Sequence, residues 1–340
     1  MSCCNVPPLI DNRTRSGAMA NTEQPRNVLR LYMYQPLIEW PKDQEEKEWQ
    51  RRLTKTLEQK IWFSPLSGLN DPFERNFNLV SNPEFVQQTP DLLQMHLDFI
   101  KEEQPDITPA EFLTMLNSAD FRKAYEQLSR SLIRTMFSEH GVACFTNDPS
   151  NIPMWAHYAN RHRGYCIIFD FDFSVIGKAT GLLPENETQY FNDVVAGKEI
   201  VTYNYDQGPI IFVFTKVRYA KTPQIVRIEE LYPLQDDPYR STKYLANKTL
   251  GIKCHQWQYE NEYRLVANAN SAEINSNFNL PDCLKVTGII IGTGVTNAET
   301  DIFDQVCNQH RCPLYAAHYS ETEYKIDHTL LKNYPVTELV

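Results

Sequence analysis

The stretch Gly164-Tyr-Cys-Ile-Ile-Phe-Asp-Phe-Asp172 predicts the centre of the fold. It is rich in β-branched and aromatic residues, which favour strands. From Ile168 onward, apolar and acidic residues alternate with the two-residue period of a strand that is buried on one face. Asp170 and Asp172 belong to the outward half of this alternation. We therefore interpret them as strand surface, not as metal ligands together with His162.

Further segments have the same strand-like composition. They are 28–34, 62–65, 141–146, 200–205, 210–219, 259–267 and 286–292. Turn residues surround several of them, which is typical of short strands joined by loops. The second half of the chain is therefore predicted to be mainly β.

Apolar residues at helical spacing mark other segments. Helices are predicted at 42–61, 82–139, 150–161, 238–256 and 297–310. In the first, apolar residues recur at helical intervals from Trp49 to Ile61 with charge around them, the pattern of an amphipathic helix. In the second, Thr108 precedes proline and, three residues on, glutamate, which is the pattern of a capped helix start.

The order of these elements predicts the fold class. Because strands and helices neither alternate regularly nor repeat, we expect an α+β fold with a mixed, mainly antiparallel sheet and flanking helices. We predict a single domain over 27–335, a helical insertion at about 82–139 and a disordered tail at 1–26.

Composition narrows the function classes. The net charge of −10 argues against broad electrostatic binding to nucleic acid or anionic membranes, since either would be repelled at long range. No apolar run approaches about 18 residues and no secretory signal is evident, so we expect a cytoplasmic protein. The cysteines then fit reduced thiols. Cys307, His310 and Cys312 lack the further ligand that a zinc site needs, so no metal is expected.

The segment Tyr259-Glu-Asn-Glu-Tyr-Arg264 carries the clearest chemical signal. In a strand, Glu260, Glu262 and Arg264 would share one face. That face is either a solvated surface with a Glu–Arg pair or a carboxylate pair at the floor of a cleft. In the second case a glutamate could bond a ribose hydroxyl and stabilise an oxocarbenium-like centre as a glycosidic bond breaks.

Two other motifs have both a structural and a functional interpretation. On a helix, Met154, His157 and Tyr158 share a face, which is either packed core or a surface for stacking and hydrogen bonding to a ligand. The motif Asn70-Asp-Pro-Phe-Glu74 is either a plain turn or a loop that contacts ribose or phosphate. No nucleophile elbow or phosphate-binding glycine loop is present, which excludes a triad hydrolase and a Walker-type nucleotide site.

As an ordered set, several motifs over roughly 28–318 resemble a mostly bacterial family, domain of unknown function 2971. They are Leu31-Tyr-Met-Tyr34, Phe63-Ser-Pro65, Asn70-Asp-Pro-Phe-Glu74, Cys144-Phe-Thr146, Met154-Trp-Ala-His-Tyr158, Gly164-Tyr-Cys-Ile-Ile-Phe-Asp170, Lys253-x-x-x-Trp257-x-Tyr-Glu-x-Glu-Tyr-Arg264 and Val286-x-Gly-Ile-Ile-Ile-Gly292.

That family in turn resembles ADP-ribosyltransferases, which implies an NAD-binding cleft without a metal. The resemblance implies cofactor contacts from Tyr32, Tyr34, Ser64, Asn70, Trp155, Tyr158 and Arg264, and catalytic roles for Glu262, Glu260 and His157. Glu262 would be the catalytic glutamate, and Glu260 the outer carboxylate that helps position the acceptor.

The resemblance implies transfer of ADP-ribose from NAD to an unknown macromolecular acceptor, in defence or as an effector. Family members have basic residues in the first motif where this chain has Met33 and Gln35. Another base, such as Arg30 or Arg264, would then hold the NAD phosphates, or NAD binding would be weak or catalysis lost. The alternative is a non-catalytic ligand-binding or interaction protein that uses 82–139 as its partner surface.

Overall fold

The computed structural model describes residues 27–38, 47–74, 78–80, 83–180, 184–204, 211–231, 234, 237–268 and 277–334. Over these residues the chain is α+β, with a mixed, mostly antiparallel sheet and flanking helices, and the predicted fold class is confirmed. The tail predicted at 1–26 lies outside the described residues.

The strands are short, and most lie in the second half of the chain. They are β1 Val28–Gln35, β2 Lys60–Trp62, β3 Ser64–Pro65, β4 Asn78–Val80, β5 His140–Thr146, β6 Tyr165–Asp172, β7 Val201–Asn204, β8 Ile211–Lys216, β9 Arg218–Ala220, β10 Ile225–Arg227, β11 Ile252–Cys254, β12 Glu262–Asn268, β13 Asn277–Asn279, β14 Leu284–Ile291, β15 Leu314–Tyr319 and β16 Ile326–Lys332.

The helices follow the predicted segments in most places. They are α1 Glu48–Leu57, α2 Pro83–Gln88, α3 Pro90–Lys101, α4 Pro109–Asn117, α5 Ala119–Ser138, α6 Ile152–Tyr158, α7 Phe173–Thr180, α8 Pro184–Val195, α9 Ile228–Leu231, α10 Pro238–Leu245 and α11 Asn297–Gln309. Short 3-10 segments lie at Leu66–Gly68 and His255–Glu260, and a π-helical turn at Ala246–Leu250.

In the described residues, ten strands form one sheet in the order β16-β15-β14-β6-β1-β5-β12-β8-β7, with β3 on the edge of β5. All its pairs are antiparallel except β14 with β15. The stretch that predicted the fold, β6, lies near the middle and pairs with β1 over its whole length. Strand β1 pairs with β5 only between Tyr32 and Thr146, so these two strands diverge.

The sheet is covered on both faces. Ile167 and Phe169 of β6 pack into a core with α1, α7, α8 and α11, while Cys166 and Ile168 pack on the opposite face beside α6. This is the two-residue alternation expected of a strand. Asp170 is paired with Arg30 of β1 at 2.8 Å, which agrees with its interpretation as strand surface.

The predicted helical stretch at 82–139 consists of α2 to α5. Helices α2, α3 and α4 bury a small core of their own, and α5 adds Ile133 and Phe137 to the core under the sheet. Thr108 caps α4: its side chain accepts from the Glu111 backbone N–H, and Glu111 bonds back to Thr108. No helix among the described residues is long and apolar enough to cross a membrane.

Several predicted boundaries were wrong, including the following three. Helix α1 ends at Leu57, and Ile61 belongs instead to β2. The helix predicted over 238–256 gives way to the π-helical turn after Leu245. The strand predicted from 259 starts at Glu262, because a 3-10 turn and a left-handed Asn261 (φ 45°) precede it. Hydrophobic periodicity cannot detect such a local change of backbone.

Candidate functional site

A cavity of about 350 Å³ opens where β1 and β5 diverge, a volume typical of small-molecule sites. Ser64 of β3 pairs with β5 at Val142, beside the gap that β1 leaves. The floor carries charged side chains from β11, the 3-10 turn and β12, and α1 forms part of the rim. The predicted site residues that line it are Tyr32, Tyr34, Ser64, Asn70, Tyr158, Glu260, Glu262 and Arg264.

Arg264 is the centre of a buried ion network. Its Nε and Nη2 donate to Glu262 at 2.7 and 3.1 Å, and Nη2 also donates to Glu74 at 2.6 Å. Its Nη1 donates to the Leu250 carbonyl at 2.6 Å, so every guanidinium nitrogen has a partner. Arg264 is 0% and Glu262 3% exposed. The interpretation of this face as a solvated surface was therefore wrong.

Lys253 of β11 connects the second carboxylate to this network. Its Nζ donates to Glu260 at 2.6 Å and to Glu262 at 3.2 Å, and lies 3.4 Å from Glu74. The ammonium also lies over the Trp257 ring, 5.0 Å from the centroid, a cation–π contact. Three buried carboxylates therefore share two buried cations.

The two motif glutamates differ in their electrostatic surroundings. Burial alone would raise the pKa of Glu262, but Arg264 and Lys253 outweigh it and lower that pKa to about 2. Burial raises the pKa of Glu260, and Lys253 opposes this only in part. Glu262 is thus held as an anion, while Glu260 takes up a proton more readily. Paired carboxyl groups with diverging pKa values are a common arrangement in acid–base sites.

Hydrogen bonds fix Glu260 at the cavity wall. The Tyr158 hydroxyl donates to Glu260 Oε1, and Asn70 Nδ2 donates to that hydroxyl at 2.6 Å. Asn151, the N-cap of α6, donates to the Tyr259 carbonyl at 2.6 Å. The Asn261 side chain donates a hydrogen bond to the Asn147 side chain, which stabilises the left-handed backbone conformation of Asn261. This turn lets Glu260 and Glu262 reach one lysine although they are not on one continuous strand.

Glu262 is also oriented through its backbone. Its N–H donates to the Tyr219 hydroxyl at 2.8 Å, which fixes the start of β12. Cys144 of β5 lies beside it in the cavity wall, and burial raises the pKa of that thiol well above its ordinary value. A protonated thiol is a poor nucleophile, so Cys144 is poorly suited to attack a ligand in this cavity.

Tyrosines of β1 form another wall. Tyr34 donates to the Asp148 carbonyl at 3.1 Å and packs edge-to-face against Trp155, with centroids 5.0 Å apart. Burial raises the pKa of Tyr32 to about 12, so its hydroxyl stays neutral at ordinary pH. Neutral phenols offer a ligand both an apolar face and a hydrogen bond.

The rim at α1 is basic. Arg51, Arg52 and Lys55 line the cavity, together with Trp62, which lies under the Arg52 guanidinium at 5.9 Å. Arg51 and Arg52 share one acidic partner, Glu48. Lys55 is itself paired with Glu58 at 2.8 Å, so the rim has three cations against two carboxylates and is cationic by one charge. The floor network has three carboxylates against two cations.

The structure separates two predicted residues from the others. Trp155 does not line the cavity; it is buried in the core and donates to the Pro149 carbonyl at 2.8 Å. His157 is exposed on the outer side of α6, with its ring 6.4 Å from that of Tyr259. Since α6 is a helix, its Tyr158 side faces the cavity while His157 points elsewhere.

Several residues of the site were not predicted from the sequence. Lys253 stands in the quoted family motif, but its pairing with two glutamates follows from the fold. Glu74 does not line this cavity but joins its ion network; its motif was interpreted as either a plain turn or a loop that contacts ribose or phosphate. The cations of α1 were overlooked because they appear as the charged face of an amphipathic helix. Of the bases suggested for phosphate binding, Arg30 pairs with Asp170 away from the cavity lining.

Among the residues described, no group of three His, Cys, Asp or Glu side chains is arranged to hold a metal ion. No curated protein and no solved structure matches the chain. One family model does match, over residues 154–265, which include α6, β6 and the motif from Lys253 to Arg264. Residues 154–265 of the chain thus match the family described as "Protein of unknown function (DUF2971)", the family that the motifs resemble.

Proposed function

We propose that this protein is an ADP-ribosyltransferase-like enzyme that cleaves the nicotinamide–ribose bond of NAD. The observation that carries the proposal is the pair of buried carboxylates, one anionic and one with a raised pKa, in the floor of a cavity with a cationic rim. A fixed anion beside a sugar carbon lowers the energy of the positive charge that develops there.

The cavity suggests an orientation for the dinucleotide. The diphosphate would lie at the rim near Arg51, Arg52 and Lys55, where its two negative charges are favoured. The nicotinamide ribose would lie on the floor, with its hydroxyls near Glu262 and its ring against Tyr32 or Tyr34. This places the bond to be broken beside the anionic glutamate.

The chemical step then follows from the charges. The C–N bond to nicotinamide breaks, its electron pair leaves with neutral nicotinamide, and Glu262 stabilises the cationic ribose. An acceptor nucleophile forms the new bond to the ribose carbon and gives its proton to Glu260. The raised pKa of Glu260 suits it to accept that proton. The acceptor is an unidentified macromolecule, and a role in defence or as an effector is part of the proposal.

A second candidate function is a non-catalytic binding protein on the same scaffold. It is favoured by the full pairing of Glu262 with Arg264 and Lys253, which is also what a purely structural ion network looks like. Met33 and Gln35 in the cavity wall, in place of basic residues, point the same way. The helices α2 to α4 would then be the partner surface.

Nicotinamide release from NAD separates the two functions. With cell lysate as a source of acceptors, we expect release by the wild-type protein and a loss of at least about 100-fold in Glu262→Gln, which keeps the shape and removes the charge. The matched control is Glu299→Gln, a buried glutamate of α11 outside the cavity lining, which should keep full activity. Full activity in a folded Glu262→Gln variant would contradict the enzymatic proposal, and no release from any form would favour the binding protein.

A further inference from the structure

A second cavity of about 150 Å³ lies next to the ion network and outside the proposed NAD site. Its described lining is mostly apolar and includes Phe73, Pro223, Ile252 and Cys254. Lys253 borders both cavities. The ion network therefore has a second face, which the proposed NAD reaction does not use.

Glu74 is the acidic residue in the described lining of this second cavity. Its side chain is 1% exposed, and its Oε1 already accepts from Arg264 at 2.6 Å and lies 3.4 Å from Lys253. The other oxygen, Oε2, is buried and has no hydrogen-bond partner among the described residues. A buried acceptor without a donor destabilises a folded protein, so a donor on a bound molecule would be favoured there.

The charges of the ion network indicate which kind of hydrogen-bond donor would bind at Glu74 Oε2. The network holds three carboxylates, those of Glu74, Glu260 and Glu262, against the two cations Lys253 and Arg264. Asp71, also buried, accepts backbone N–H groups, and no cation of the described residues pairs with it. Lys221 lines the same cavity but is exposed, where solvent screens its charge. A positively charged ligand would therefore reduce the excess of negative charge.

The geometry points to a binding site for a small aromatic monocation of the aryl amidine class, which donates an N–H bond to Glu74 Oε2 while its ring packs against Phe73 and Pro223. A cavity of about this volume accommodates a single six-membered ring. The site does not depend on the NAD chemistry and would exist in a non-catalytic protein as well.

Benzamidine is the probe, and benzamide, of nearly the same shape but neutral, is its matched control. Calorimetric titration of the full chain should show saturable benzamidine binding and at least about tenfold weaker benzamide binding, because a charge-assisted hydrogen bond is lost. Glu74→Gln keeps the oxygen that accepts from Arg264 and replaces Oε2 by a donor group. It should weaken benzamidine by at least about tenfold, whereas Glu299→Gln should not change it.

Ala220→Leu tests the location without touching the ion network. Ala220 lines the second cavity only, so a larger side chain there should abolish benzamidine binding while leaving NAD binding unchanged. If Glu74→Gln does not fold, Ala220→Leu still tests whether benzamidine binds in the second cavity. Equal affinity for benzamide, displacement of benzamidine by NAD, unchanged binding in Ala220→Leu, or absence of saturable binding would each overturn the inference.

Discussion

At the scale of single residues, the buried ion network depends on the planar guanidinium of Arg264 at its centre. Arg264 donates to two carboxylates and to a backbone carbonyl from one planar group. A lysine has three N–H donors on one nitrogen and could not make these four hydrogen bonds, which come from three separate nitrogens. Removing one member of such a network destabilises the fold more than replacing the whole network by apolar residues, because the partner left behind stays buried and charged.

Lys253→Met tests this asymmetry. The variant leaves Glu260 without its cation, and the wild-type network already has more carboxylates than cations. We expect it to lower the free energy of unfolding by about 3 to 5 kcal/mol, measured by urea titration at neutral pH. Lys198→Met is the control, because Lys198 is 73% exposed and its change should stay within about 0.5 kcal/mol.

Adding Glu260→Gln to Lys253→Met should restore part of the lost stability, since the unpaired carboxylate is then removed. A loss below about 1 kcal/mol in the single variant would show that the ion pairs are nearly neutral in energy. The same would follow if the double variant were no more stable than Lys253→Met alone.

The pKa of Glu262 gives a prediction for acid. Because folding lowers this pKa from 4.5 to about 2, its ionised form stabilises the fold above about pH 5, and that contribution is lost as the pH falls toward about 2. Glu260 acts in the opposite direction, since its raised pKa makes protonation favourable in the folded state. The wild type should therefore lose more stability than Glu262→Gln between these two pH values.

Urea unfolding curves recorded across that range provide the measurement. Carboxylates outside the ion network contribute equally to both proteins. The Glu262 charge also raises the pKa of Glu260, so the difference between the two curves reports Glu262 together with its effect on Glu260. Parallel curves would show that the Glu262 carboxyl has the same pKa in the folded and unfolded chain.

At the scale of elements, helix α1 performs two tasks with two faces. Trp49, Leu53 and Leu57 are buried against the sheet, and the Trp49 ring stacks on Phe303 with centroids 4.7 Å apart. The opposite face of the same helix presents Arg51 and Lys55 to the cavity. The buried face thus fixes where the cations stand.

Neutralising the rim should weaken the binding of an anionic dinucleotide. In Arg51→Gln/Lys55→Gln we expect the KM for NAD to rise about tenfold with little change in kcat, because these side chains would contact the diphosphate and not the reacting bond. The wild-type KM should also rise with salt more steeply than that of the variant. The measurement is steady-state nicotinamide release, with the exposed Lys198→Gln as control.

A lower kcat at unchanged KM would place these cations at the reacting centre instead of the diphosphate. If NAD is not turned over at all, the same comparison can be made by titrating NAD into both proteins. Equal affinity of variant and wild type would remove α1 from the proposed site.

At the scale of the whole molecule, the helical insertion predicted at 82–139, which consists of α2 to α5, divides into two parts. The helices α2, α3 and α4 enclose Val86, Leu97, Phe112 and Leu116 in a core of their own. Helix α5 contributes Ile133 and Phe137 to the core under the sheet. Only the first part is therefore separable from the sheet.

Replacing 83–117 by a short glycine-serine linker should leave a cooperatively folded protein. The apolar side chains that this excision exposes are few, so we expect a loss of no more than about 2 kcal/mol. Replacing 83–138 instead should abolish cooperative unfolding, because Ile133 and Phe137 leave an open core behind. Thermal melts followed by near-ultraviolet circular dichroism compare the two, and equal melting of both would contradict the division.

Several features follow from local sequence alone. The alternation in β6, the strand composition of β5 and β14, and the capped start of α4 each depend on neighbours a few residues away, so each was predicted within about two residues. Strands β15 and β16 were missed. Their residues are partly exposed, so they lack the continuous apolar run that marks a buried strand.

The site shows where local sequence is insufficient. The Glu-Asn-Glu motif identified the two carboxylates, but as members of one strand face; the left-handed Asn261 instead turns Glu260 back toward Lys253. His157 was predicted to contact a ligand because it shares a helix face with Met154 and Tyr158, but the docking of α6 leaves His157 exposed. No short-range pattern contains the direction in which a helix is docked.

The sequence by itself therefore determined the fold class, the family motifs and the residue types of the site, because hydrophobic period, capping and composition are local properties of the chain. The tertiary structure decided which of those residues meet. Glu74 and Arg264 are in contact across 190 positions of sequence, and β1 and β5 diverge to open the cavity between them. Such contacts depend on packing across the sheet, where burial raises the pKa of Glu260 and the buried cations Arg264 and Lys253 lower that of Glu262.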